Sequence, residues 1–340
     1  MALNKDARNF IAFYYQNYPS LSKAAEDAKK LVESIVLELG IEIHAVSARA
    51  KDSNSLREKL LRKTYTKPKQ QLTDLIGVRV VTYYGDDVDR VTKALQGELE
   101  IDAQNSVDRR TSLGLRSFGY RSVHLIARLK GGRARSPEFA SLRNQTFEIQ
   151  VRSILEHAWA EIEHAIVYKS GIAFSDDDLR MFAALAGTME ILDKQFLHLR
   201  ERKQLLVDRY LKSFSIDKGL EDKLDVARLI ALLTFKFPDG SHFPPGTERI
   251  CLIALQKGGI RTVNQLVRAM KGKAFITEVR KYSVSHQIAS SRVSFLALTI
   301  IIVLLTKSNV AVELFPNMFS DPGLDEILQT VKKRVRRSKG

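Results

Sequence analysis

The stretch HAVSARAKDSNSLREKL sets four phosphate-seeking side chains close together. Arg49 and Lys51 are two apart and project the same way from an extended segment. Ser55 and Lys59 fall one turn apart on a helix that follows. An arginine offers a planar fork of donors and a lysine a point charge, which are complementary ways of gripping a polyphosphate. A basic helix face in water would be built from the same residues. The string GxxxxGK[ST] does not occur, so a P-loop is excluded.

Two carboxylates stand where their surroundings make them conspicuous. Asp74 opens the run DLIGVRVVTYY, with Arg79 five residues on, and Glu148 interrupts the apolar neighbours Phe147, Ile149 and Val151. A charge in such a strand is costly unless it is paired or bound to a metal, and Mg²⁺ is usually held by one or two carboxylates together with substrate phosphates. Asp74 could equally be a turn residue. Between the two acids lies FGYRSVH, in which Gly119 permits close backbone approach, Tyr120 offers a face for a base to stack on, and Arg121 and His124 add donors. Tyr120 would also make an ordinary core aromatic.

After Glu148 and Gln150 the chain reads RSILEHAWAEIEHAIVYK. Helical spacing predicts a packed stripe of Trp159, Ile162 and Ile166, with His157, Glu161, His164 and Tyr168 along another face. The order HExxH is absent, and zinc is not expected.

These groups need a scaffold, and the periodicities predict one. Apolar residues at three- and four-residue steps from Asn4 to about Leu39 predict two helices broken at Pro19-Ser20. Ile41 to Val46 alternates weakly and predicts a short strand or an extended link, and Ser53 to Lys63 a basic helix. The run after Asp74 is apolar almost throughout and predicts a central strand covered on both faces. A helix from Gly85 to Gly97 and strands at RSVHLIARL and QTFEIQVR follow, giving a mixed sheet with helices against it. A long helix is expected from about Leu179 to Phe214, then shorter ones over 224–236, 250–257, 262–271 and 293–305. The expected fold class is therefore α+β for residues 1–214, followed by an all-α basic domain over 215–340.

Length and composition agree with two folded domains: 340 residues, 44% hydrophobic and 27% charged. The single cysteine, Cys251, cannot form an internal disulfide, and the chain does not open on a secretory signal, so a reducing cytoplasm is expected. The longest apolar run, Leu296 to Leu305, is far short of the roughly 20 residues that span a bilayer, and no membrane partner is expected. The net charge of +15 divides into +6 for residues 1–214 and +9 for residues 215–340, six of the latter's bases lying in the tail KKRVRRSKG. A phosphate-rich partner, nucleotide or nucleic acid, fits that excess; so does a merely solubilising tail.

Taken in order, SARAKDSNSLREK, TDLIGVRVV, GYRSVHLIARL and EIQVRSILEHAWAEIEHAIVYK resemble the synthetase domain of the RelA/SpoT alarmone enzymes, over about residues 20 to 200. The resemblance implies a nucleotidyltransferase-like domain that moves the β,γ-pyrophosphate of ATP to the 3′-hydroxyl of GDP or GTP with Mg²⁺ as cofactor. It implies ATP-binding roles for Arg49, Lys51, Ser55, Lys59 and Arg79, and catalytic, metal-holding roles for Asp74 and Glu148. Acceptor-binding roles are implied for Arg116, Tyr120, Arg121, His124, Gln150, His157 and Glu163. Where many members carry a lysine and a proline before GYRS, this chain has LRSF, with Arg116 supplying a charge. No HDxxED-like string is present, so hydrolysis of the product is not implied. Small members of the family include toxins that modify the 3′ end of tRNA, so tRNA is an alternative acceptor, and a homo-oligomer or an antitoxin an alternative partner. The third reading is an inactive nucleotide- or RNA-binding module.

Overall fold

The computed structural model describes residues 4–112, 119, 122–168, 174–215, 218–238 and 247–270. The chain divides into two compact units, Met1–His198 and Leu199–Gly340.

The first unit opens with one helix, α1 (Lys5–Glu38), whose N-cap Asn4 accepts from the Ala7 amide at 2.7 Å. This corrects the expected pair of helices, because Pro19 lies inside α1 and does not end it. An internal proline costs about 3 kcal/mol, but the buried stripe runs through it from Tyr14 to Leu21, Ala24, Ala28 and Leu31. Breaking the helix would sacrifice that packing. Tyr15, whose carbonyl the proline cannot serve, is exposed to water.

Strand β1 (Ile43–Ala50) leads into α2 (Ser53–Arg62), N-capped by Asp52, and then α3 (Pro68–Gln71). Next come β2 (Ile76–Thr82), α4 (Gly85–Glu98), β3 (Leu99–Ile101), β4 (Val107–Asp108), α5 (Arg109–Ser112) and β5 (Val123–Leu129). Two short 3-10 turns precede β6 (Phe147–Ser153), which runs into α6 (Ile154–Glu163), a π-helical turn (His164–Tyr168) and α7 (Asp176–Ser215).

The sheet order is β1-β2-β6-β5-β3, with β4 on β5. Only β2 and β6 among these pairs run parallel. The twofold alternation of strands then sorts the side chains. Ile76, Val78 and Val80 of β2, Phe147, Ile149 and Val151 of β6, and Val123 and Leu125 of β5 enter one core with α1 and with Val88, Val91 and Leu95 of α4. The opposite face of β2 carries Gly77 and Arg79, which are only half-buried. The expectation of a strand covered on both faces is thus corrected: one face is left open by a glycine and an arginine.

Helix α6 also departs from expectation. Trp159 is buried with Ala160 against Ala186 and Met189, and its indole donates to the Phe182 carbonyl at 3.2 Å. Ile162 and Ile166, expected to continue that stripe, are 49% and 44% exposed. The buried side is centred on Trp159 and Ala160, which points Ile162 away, and the π-helical turn shifts the phase again before Ile166.

In the second unit, α8 (Val226–Lys236), α9 (Thr247–Lys257) and α10 (Val263–Ala269) share a core of Leu229, Leu232, Cys251, Leu255, Val263 and Leu266 with Val207 and Phe214 of α7. Asp225 and Thr262 cap α8 and α10. Burial pushes the Cys251 thiol up to about 12, as expected of a core residue. No described helix is long and apolar enough to cross a membrane. The helix expected over 293–305 and the basic tail lie outside the described residues.

Candidate active site

Register brings the polar residues of four strands into one layer. Arg49 of β1 faces Gly77 of β2, which faces Glu148 of β6, and Ser47, Arg79, Gln150 and His124 form the adjoining row. A slip of one residue in any of these strands would drive its polar set into the core. Ser47, Arg49, Gly77, Arg79, Glu148 and Gln150 line one cavity of about 350 Å³, and Lys51 and Asp74 complete its wall. A Cβ on Gly77 would meet nothing within 4 Å, so the glycine leaves the floor open.

Asp74 lies just before β2 and is mostly buried. Its Oδ2 accepts from Lys51 Nζ at 2.9 Å and Lys59 Nζ at 2.7 Å. Burial works against its charge, but the Lys51 charge and the Lys59 hydrogen bond prevail and hold the carboxyl below its usual range. Its other oxygen, Oδ1, is buried and has no hydrogen-bond partner.

Glu148 is held by His124 Nδ1, 2.6 Å from Oε1, and by Gln150 Nε2, which donates to Oε2 at 3.1 Å. Burial again raises its pKa, the nearby Asp74 charge adds to that, and the hydrogen bond and charge of His124 outweigh both. The net shift is downward, so this carboxylate is anionic at neutral pH.

Arg79 Nη1 is paired with Glu161 of α6 at 2.8 Å, and Glu161 also stands 3.6 Å from Arg152 and 3.8 Å from His157 Nδ1. His157 Nδ1 is buried without a hydrogen-bond partner. Burial and the neighbouring Arg152 and Arg79 lower its pKa, which keeps it neutral near pH 7. Glu163 is half-buried, and burial raises its pKa.

Of the residues singled out in the sequence, the structure gathers Arg49, Lys51, Asp74, Arg79, Glu148 and Gln150 around the cavity, with Lys59 and His124 attached to the acids. Ser55 does not line it; its amide is engaged by Asp52 Oδ2 at 2.9 Å in the cap of α2. Arg116, Tyr120 and Arg121 lie outside the described residues. Their described neighbour Gly119 lines a second cavity, of about 290 Å³, together with Arg110, Glu156, Trp159 and Asp193. Ser47 and Gly77 join the site although the sequence reading passed over them. Ser47 could have been found from its alternation with Arg49, and Gly77 because a glycine inside a strand often marks close approach of a ligand.

The two acids and their surroundings fit Mg²⁺. One buried oxygen of Asp74 lacks a partner, and Glu148 is close enough to feel the Asp74 charge. Among the described residues no three His, Cys, Asp or Glu side chains are grouped to hold a metal, so a cation here would draw its further oxygens from a ligand. The cavity thus brings two carboxylates together with Arg49, Lys51 and Arg79, and Lys59 is bonded to Asp74 at its edge.

Comparison with known proteins shows what part of this chain is similar to. Residues 48–173 match the model described as the region found in RelA / SpoT proteins. Two curated proteins of Bacillus subtilis (strain 168) are similar. GTP pyrophosphokinase YwaC is 29% identical over 131 residues, which is 37% of this chain and 59% of that protein. GTP pyrophosphokinase YjbM is 30% identical over 129 residues, 37% of this chain and 57% of that protein. Residues 48–173 are thus similar to that region, and the chain is similar over about 130 residues to part of these two proteins. The chain spans less than two thirds of either relative's length. Among solved structures, the small alarmone synthetase 2 of B. subtilis is 25% identical with a TM-score of 0.44, covering 54% of this chain and 96% of its own. A GTP pyrophosphokinase family protein from Streptococcus pneumoniae is 24% identical with a TM-score of 0.46, covering 56% and 93%.

Proposed function

We propose that the protein is an ATP-dependent pyrophosphokinase that transfers the β,γ-pyrophosphate of ATP to the 3′-hydroxyl of GDP or GTP, releasing AMP and making an alarmone of the stringent-response type. The observation that carries the reading is the pair Asp74 and Glu148, both held below the usual carboxylate range and lining one cavity with Arg49 and Lys51. The similarity of residues 48–173 to two GTP pyrophosphokinases supports it.

In this reading Arg49, Lys51, Lys59 and Arg79 grip the phosphate chain. The lysines that neutralise Asp74 are already converged, so little rearrangement precedes binding. Mg²⁺, held by Asp74 and Glu148, would neutralise charge on the phosphates. Glu148 accepts a hydrogen bond from the acceptor hydroxyl and takes its proton as the new oxygen–phosphorus bond forms and the bond to the AMP oxygen breaks. Its lowered pKa makes it a weak base, so the proton moves late. His124 steadies the carboxylate, and neutral His157 offers its unpartnered nitrogen to a base edge.

The test is to incubate the protein with Mg²⁺ and terminally labelled ATP, offering GDP, GTP, ATP or bulk tRNA. Label on GDP or GTP is the expected result. Label on the 3′ end of tRNA would favour the toxin reading and an RNA-binding role for the basic second half, and label on nothing would leave the nucleotide-binding module.

A further inference from the structure

Helix α1 is remote in sequence from every residue assigned above, yet one of its side chains reaches the site's main chain. Tyr14 is 1% exposed, and its hydroxyl donates to the carbonyl oxygen of Lys51. That carbonyl lies past the last rung of β1 and before the first turn of α2, where neither regular ladder supplies a donor. On its other side the Lys51 amide donates to the Leu75 carbonyl at 2.8 Å, next to Asp74. The main chain of Lys51 is thus pinned from both ends while its Nζ reaches Asp74. The same junction sets the start of α2, through its cap Asp52, and α2 carries Lys59 to the same carboxylate.

We infer that Tyr14 is a positioning residue of the donor site: by fixing the Lys51 carbonyl it holds Lys51 and Lys59 converged on Asp74 and so sets the affinity for ATP. The inference rests on the donor-site reading proposed above. Burial first, with Tyr18, Asp52 and Asp74 nearby, raises the Tyr14 pKa, so the hydroxyl stays a donor throughout the working pH range. The ring has packing of its own, edge-on to Tyr18 at 5.7 Å between centroids. Tyr14→Phe therefore keeps the ring and deletes only the donor.

The full chain carrying Tyr14→Phe is compared with wild type and with Tyr18→Phe, a half-exposed control. In the transfer assay the KM for ATP is expected to rise about tenfold, as for one buried hydrogen bond left unmade. The KM for the guanine nucleotide should hardly move, and the melting temperature should fall by only a few degrees, the carbonyl left unpaired costing some stability while the fold persists. An unchanged ATP KM would overturn the inference, as would a parallel loss of both KM values, kcat and folded fraction. Binding of a non-hydrolysable α,β-methylene analogue of ATP is measured alongside. If wild type transfers to no acceptor, the proposed function falls, and the binding ratio still decides the role of Tyr14: tenfold weaker upholds it and equal overturns it. A wild type that binds no analogue overturns both.

Discussion

His124 Nδ1 stands 2.6 Å from Glu148 Oε1 across the β5–β6 ladder, so that a strand carboxylate and a strand imidazole form one unit beside the cavity. Within that unit the carboxylate is kept charged against its burial. Glu148→Gln should keep the shape and lose the charge. We expect transfer to fall by at least about a hundredfold, the range for a positioned acid or base, with the melting temperature preserved. Full activity would remove Glu148 from the reaction.

Replacing His124 tests the same unit from its other side. With His124→Ala, burial and the Asp74 charge act on Glu148 without the imidazole to oppose them, so its pKa rises. The acid limb of the rate profile should move to higher pH, as followed by initial rates at saturating nucleotide. A limb that stays in place would separate the rate-controlling ionisation from Glu148.

Asp74 links the site to stability. Its folded pKa is depressed by Lys51 and Lys59, so its contribution is complete above the ordinary carboxylate range and disappears as pH falls through the folded value. Asp74→Asn should cost about 2 kcal/mol at neutral pH, the order expected for a largely buried charged hydrogen bond. The variant should then lose less on acidification than wild type does. Denaturant melts at several pH values would show the two curves converging toward acid.

Gly77 lies between Arg49 and Glu148 on the cavity floor. Because an added Cβ there meets nothing within 4 Å, Gly77→Ala should fold as well as wild type. Any loss then belongs to the ligand, and several-fold weaker ATP binding is expected if the nucleotide lies against this floor. Unaltered binding by calorimetry would place the nucleotide higher in the cavity.

The site was legible in the sequence to the extent that it is written in alternation. Arg49, Glu148 and Gln150 sit on strands whose twofold period already separates them from Ala50, Ile149 and Val151. What alternation cannot state is which strand lies beside which, and the parallel neighbourhood of β2 and β6 is what sets Gly77 against Glu148. The continuous apolar reading of β2 failed because Gly77 and Arg79 are the only interruptions in a strand whose remaining residues are buried. The expected break at Pro19 failed because tertiary packing outweighed a local penalty. Tyr14 resembled any other core aromatic, since a hydroxyl's partner 37 residues away leaves no local mark.

The parallel pairing of β2 with β6 also has a bearing on biosynthesis. Asp74 and Lys51 belong to a cationic half that is complete once α2 and the start of β2 exist, whereas Glu148 arrives on a strand that must first be reached by the crossover through α4 and β5. Such a non-local closure comes late, because its chain entropy is lost before its contacts form. A ribosome-bound chain ending before β6 would hold the lysines with no acid on the neighbouring strand, so the candidate site can assemble only after most of the first unit has left the exit tunnel.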